Sequence, residues 1–117
     1  MIQDWTQLIE NMNGGVKNLR QGAPETMQGF SALAKGALGG TALDKKTKEL
    51  IALAIGVAVR CQPCIAYHSE SAAKSGATRE EVLETMGMAI YMGAGPSVMY
   101  AAHALEAFDQ MKAAQAK

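Results

Sequence analysis

Apolar side chains recur along this chain at intervals of three and four residues, the period of an α-helix, and nowhere alternate as a half-buried strand requires. No Asn-Gly turn separates two apolar runs, so the pattern predicts an all-α protein of about five to six helices. Trp5, Leu8, Ile9 and Met12 mark a short first helix, capped by Asp4 and stopped at Gly14-Gly15. Pro24 opens a second helix with Met27, Phe30, Leu33, Ala34, Ala37 and Leu38 on one stripe, closed by Gly39-Gly40. Gly29 and Gly36 inside it point to close backbone packing. Asp44 caps a third helix, whose charged first turn Lys45-Lys46-Thr47-Lys48-Glu49 precedes an apolar run from Leu50 to Val59. That run is apolar all round, which predicts a helix buried on every side.

A fourth helix begins near Cys61-Gln62-Pro63-Cys64, where Pro63 suits a first turn, and runs through His68 to Gly76. Thr78-Arg79-Glu80-Glu81 reads as a capping box ahead of Val82, Leu83, Met86 and Ile90. Gly93-Ala94-Gly95-Pro96 breaks that helix, and Pro96 opens the last one, bearing Val98, Met99, Ala102, Leu105 and Phe108.

Length and composition narrow the functional classes. The 117 residues, without repeat or linker, make one domain spanning 1–117. Hydrophobic residues reach 49% and charged ones 19%, so the chain folds and has apolar surface to spare. Eleven Lys plus Arg balance eleven Asp plus Glu, which removes the positive field that nucleic acid or an anionic membrane would need. The longest apolar run is half the roughly 20 residues of a membrane span. Met1-Ile2-Gln3-Asp4-Trp5 lacks the basic and apolar regions of a secretory signal, so a cytoplasmic location is expected. A small core of Ala and Met is thinly stabilised, and five short partners cannot enclose a helix apolar all round. An obligate homo-oligomer is therefore expected, with Met86, Met88, Met92 and Met99 filling core or interface.

The sharpest chemical constellation is Glu49, Cys61-Gln62-Pro63-Cys64 and His68. Two cysteines three residues apart at a helix start lie about one turn apart, so their disulfide can form and break with little backbone movement. Amides and the positive dipole end there favour thiolate, the reactive form. His68 follows Cys64 by four residues, on the same helical face, where a neutral imidazole can take the thiol proton and return one to a leaving group. Glu49 could orient His68 or relay a proton only if the two helices fold back on each other. Cys61, Cys64 and His68 could also supply three zinc ligands with His103 as a fourth, but structural zinc usually draws on a second close pair and His103 stands alone. No metal or other resident cofactor is expected, and His103, among alanines, reads as a packed or interface residue. Ile65 directly after Cys64 excludes a c-type haem site. Three readings stay open on these residues: a thiol enzyme, a redox-sensing helical oligomer, and a zinc-stapled module.

The motif of glutamate, eleven residues, CxxC, three residues and histidine resembles the AhpD-like alkylhydroperoxidases of the carboxymuconolactone decarboxylase superfamily. Here it stands as Glu49, Cys61-Gln62-Pro63-Cys64, Ile65-Ala66-Tyr67 and His68, followed by SAAKSGATREEVLE, within a likeness covering residues 23–110. The resemblance implies an all-helical fold, assembly as trimers or hexamers, and reduction of peroxides through the cysteine pair. On it, Cys64 is the peroxidatic cysteine, Cys61 resolves its sulfenic acid as a disulfide, and His68 with Glu49 forms the proton relay. An external dithiol, such as a lipoylated protein, would regenerate the pair. The peroxidase branch often carries a second histidine inside the CxxC, where this chain has Pro63. The superfamily's decarboxylases lack the cysteine pair, which argues against lactone decarboxylation here.

Overall fold

Five helices account for nearly all of the chain in a computed structural model that describes residues 1–117: α1 (Trp5–Gly22), α2 (Pro24–Leu38), α3 (Lys45–Ala58), α4 (Gln62–Lys74) and α5 (Arg79–Gln115). Each of α1, α3, α4 and α5 starts at a side chain that satisfies an orphan amide. Asp4 accepts the Gln7 N–H, Asp44 the Thr47 N–H, and Thr78 and Glu81 exchange the two hydrogen bonds of a capping box. The core forms where α3, α4 and α5 meet, around Leu53, Val57, Ile65, Val82 and Phe108, with α1 laid against α4 and α5 through Trp5 and Ile9.

Helix α5 is two limbs joined at the predicted break. Ala94 takes φ 52°, ψ −139°, a conformation costly for a residue with a Cβ, and Pro96 follows as the opening of the second limb. The limbs return antiparallel, so that Arg79 at the start of one pairs with Asp109 near the end of the other at 3.0 Å. Gly93 lies against Ser97, where an added Cβ would overlap the buried hydroxyl. The N-terminal strand of chain is clasped by the second limb: Glu106 accepts the Ile2 and Gln3 N–H groups and the Trp5 indole N–H, while Gln110 accepts the Trp5 N–H.

Three expectations need correction. Helix α1 does not stop at Gly14-Gly15 but continues to Gly22, because a glycine costs only about 1 kcal/mol in a helix interior. What ends α1 is Pro24, whose ring pushes Ala23 out of helical conformation to φ −136°, ψ 62°. Gly29 and Gly36 serve no close packing within the protomer: a Cβ at either meets nothing within 4 Å, and no residue of α2 is buried. Nor is α3 buried on every side. Leu53, Gly56 and Val57 face the core, but Ile51, Ile55 and Val59 remain 44%, 55% and 65% exposed, because α1 and α2 leave that side of α3 uncovered. Of the four methionines assigned to filling, Met86 is in the core, while Met88, Met92 and Met99 lie on the protomer surface.

Candidate active site

The site is assembled at the turn between α3 and α4. Arg60 adopts φ 58°, a left-handed conformation that reverses the chain and delivers Cys61 as the N-cap of α4. Pro63 occupies the first turn, where its missing N–H leaves no bond unmade. The Cys64 N–H then donates to Cys61 Sγ at 3.2 Å, so a cysteine sulfur does here what a serine or aspartate oxygen does at the other helix starts. Cys61 and Cys64 are joined as a disulfide, their Cα atoms 5.2 Å apart.

Helix α3 reaches this turn through Gly56. Its carbonyl accepts the Cys61 N–H at 3.0 Å, and a Cβ built on it would stand 3.4 Å from the Cys64 Cβ. Close approach of the two helices also brings Glu49, two turns before Gly56, against His68, one turn after Cys64. Glu49 Oε2 lies 2.8 Å from His68 Nδ1. An ionised carboxylate can only accept, so Nδ1 is the nitrogen that donates to it, and in a neutral ring Nε2 is then the nitrogen free to take a proton. Glu49 is 2% exposed although it is a helix-start carboxylate in the sequence, whereas the His68 side chain keeps 37% of its surface. Next to His68, the Tyr67 hydroxyl donates to Asn13 Oδ1 and ties α4 to α1.

A cleft of about 340 Å³ opens over the Glu49–His68 pair. Ala37 and Leu38 of α2 form one wall and Ile51 and Ile55 of α3 the other; neither cysteine lines it. Lys48 stands at its edge with Nζ held by the Ala37 carbonyl at 2.9 Å, so its charge caps the end of α2. Two other depressions of the surface, about 510 Å³ each, contain neither a cysteine nor a histidine.

All four residues predicted to carry chemistry thus sit at one helix junction, as the disulfide Cys61–Cys64 and the hydrogen-bonded pair Glu49–His68. His103 takes no part. It stacks on Tyr100 at 5.3 Å and meets Trp5 edge-on at 5.5 Å, and no three His, Cys, Asp or Glu side chains converge as a metal would require. Sequence reasoning missed Gly56, whose only signal was a glycine inside an apolar run, and the Tyr67–Asn13 tie, which nothing in the spacing marks.

The model of the carboxymuconolactone decarboxylase family matches residues 24–107, which includes the whole motif from Glu49 to His68. The chain belongs to that family. A carboxymuconolactone decarboxylase family protein from Legionella pneumophila, crystallised in its apo form, is 52% identical, with a TM-score of 0.90 over 92% of this chain and 96% of that one. An uncharacterized protein of Cupriavidus necator is 35% identical over 97% of this chain and its own full length. A third member, from Thermotoga maritima, shares the fold at a TM-score of 0.81 and 24% identity over 94% of this chain and 93% of that one. A part in an antioxidative response has been suggested for that protein. The family fold is all-helical, as found here.

Proposed function

We propose that this carboxymuconolactone decarboxylase family protein is a thiol-dependent peroxidase. The observation that carries the reading is the Glu49–His68 hydrogen bond one helical turn from a cysteine pair already joined as a disulfide. A couple that cycles between dithiol and disulfide moves two electrons, which lactone decarboxylation does not call for and peroxide reduction does. The antioxidative role suggested for the Thermotoga maritima relative points the same way.

In the reduced protein His68 Nε2 takes the Cys64 thiol proton, with Glu49 holding the ring and stabilising its positive charge. The Cys64 thiolate attacks one peroxide oxygen; the S–O bond forms, the O–O bond breaks, and the alcohol leaves with the proton from His68. Cys61 then attacks the sulfenic sulfur of Cys64, closing the disulfide and releasing water. One hydroperoxide and one dithiol become one alcohol, one water and one disulfide. An external dithiol, such as a dihydrolipoyl group, reopens the bond through a mixed disulfide and leaves oxidised.

The test is consumption of cumene hydroperoxide and hydrogen peroxide with dihydrolipoamide as donor. Many equivalents should be consumed per protomer, and Cys64→Ser should abolish turnover. Consumption of a single equivalent would instead make the pair an oxidation sensor, and turnover retained by Cys64→Ser would overturn the assignment of roles.

A further inference from the structure

Helices α3 and α4 end in the same hydrogen-bonding pattern but fill it with different residues. After α4 the Ala77 N–H reaches back to the Ala72 carbonyl, and Gly76, at φ 86°, takes the left-handed step that this closure needs. After α3 the Cys61 N–H reaches the Gly56 carbonyl in the same way, but the left-handed residue is Arg60, at φ 58°. A residue with a Cβ is costly there and glycine is not, so the chain gives up stability at the one of these two turns that abuts the cysteine pair. No packing accounts for the arginine. Its side chain is exposed, and the ion pairs between carboxylates and lysine or arginine, Lys46–Glu81, Lys74–Glu70 and Arg79–Asp109, leave it out. Between Lys48 and Lys74 the chain carries no other lysine or arginine. A strained residue held without a structural partner beside reactive groups marks a functional constraint.

We propose that Arg60 selects the reductant: it receives the carboxylate of a dithiol donor and directs the donor's thiolate to Cys61. A guanidinium is always charged and presents paired N–H groups that match a carboxylate. The two sulfurs of the disulfide are not equivalent to an incoming thiolate. Helix α3 lies against Cys64, whose Cβ is the nearest atom to a side chain built on Gly56, whereas Cys61 caps the free end of α4. The donor thiolate attacks Cys61 Sγ; the new S–S bond forms, the Cys61–Cys64 bond breaks, and Cys64 leaves as a thiolate that protonated His68 neutralises. The donor's second thiolate then attacks the donor sulfur of the mixed disulfide, closes the donor's own disulfide and releases Cys61 as a thiolate. That thiolate keeps the Cys64 N–H, 3.2 Å from its sulfur, and has the Arg60 charge beside it in the chain. Two electrons pass to the protein, and of the donor's two protons one is recovered on Cys64 through His68 and one stays in solvent. The proposal rests on the peroxidase reading only for the donor's place in a cycle; the exchange itself needs no peroxide.

Anaerobic reduction of the oxidised protein by dihydrolipoate and by dihydrolipoamide tests the proposal, since the two donors share their thiols and differ by one negative charge. The thiols formed are counted by mass after quenching with N-ethylmaleimide. The wild type should be reduced about two- to fivefold faster by dihydrolipoate at low ionic strength, the range an exposed ion pair gives, and the ratio should approach one in about 0.5 M NaCl. Arg60→Lys should keep most of the preference. Arg60→Gly should lose it yet unfold at no lower denaturant concentration, because glycine relieves the strained turn. In acid-quenched mixtures with the monothiol 3-mercaptopropanoate, the mixed disulfide should lie on Cys61, read by fragment masses. Equal rates for the two donors in the wild type overturn the proposal, as does a preference that survives Arg60→Gly, one lost together with stability, or an adduct on Cys64. A wild type that shows the preference but consumes no peroxide keeps the role of Arg60 and removes the peroxidase reading.

Discussion

Replacing the Glu49 carboxylate by an isosteric amide separates its charge from its shape. In Glu49→Gln the side chain can still accept from His68 Nδ1 but no longer stabilises an imidazolium, and a hydrogen bond to a charged group contributes about 1.5–3 kcal/mol. Peroxide turnover should fall roughly 10- to 100-fold in kcat with KM unchanged, read by steady-state kinetics; a change confined to KM would show that Glu49 binds substrate instead. His68→Gln, which removes the base itself, should cost about 10²- to 10⁴-fold. Away from the site, Glu106 is held below the usual carboxylate range, first by the Ile2 N–H and then by the Gln3 N–H and the Trp5 indole. Asp44 is lowered by the Thr47 hydroxyl and amide, Asp4 by the Gln7 N–H, and Glu81 by Lys46. For lowered carboxylates the stability is present above the unfolded pKa, near 4, and is lost as pH falls through the folded values. The melting temperature should therefore be flat near neutrality and drop below about pH 4, and Glu106→Gln should start lower with a shallower acid limb. The cysteines and His68 were legible as chemistry because their spacing alone places them on one helix start. Glu49 was legible only on the condition that α3 and α4 fold back on each other, since a first-turn carboxylate is ordinarily solvated and its burial depends on the helix that packs against it.

At the scale of elements, glycines separate local from tertiary causes. Gly29 points into open space, so Gly29→Ala should raise stability by up to about 1 kcal/mol, whereas Gly93→Ala must displace the buried Ser97 and should cost about 1–3 kcal/mol. Denaturant titration of the two variants checks the contrast, and equal effects would show that the α5 break is not tightly packed. Helix starts were readable because Asp4, Asp44, Thr78 and the prolines act within one turn of themselves. The end of α1 was not, because a glycine pair only lowers helix propensity and the flanking turns outvote it, while Pro24 removes a donor and blocks the backbone.

Across the whole molecule, Phe30, Leu33, Ile51, Ile55, Val59, Met88, Met92 and Met99 form a surplus of apolar side chains exposed on the protomer. Association that couples to folding makes stability depend on concentration, so the melting temperature should rise between about 1 and 100 µM protein, read by scanning calorimetry; a constant value would mean that folding is complete in the single chain. No helix is long and apolar enough to cross a membrane, so the surplus is not a membrane span.

The sequence by itself determined the helical class, most helix starts, the break near Ala94 and the disulfide-capable pair at the head of α4. These depend on propensities and spacings that act over one or two turns, and no distant contact is needed to read them. Only the tertiary structure decided that Glu49 is buried against His68, that Gly56 lets α3 touch the cysteine turn, that His103 packs between Trp5 and Tyr100, and that α2 and one face of α3 are left open. Each of those depends on which helix faces which, and a periodic stripe records that a face is apolar without recording what covers it.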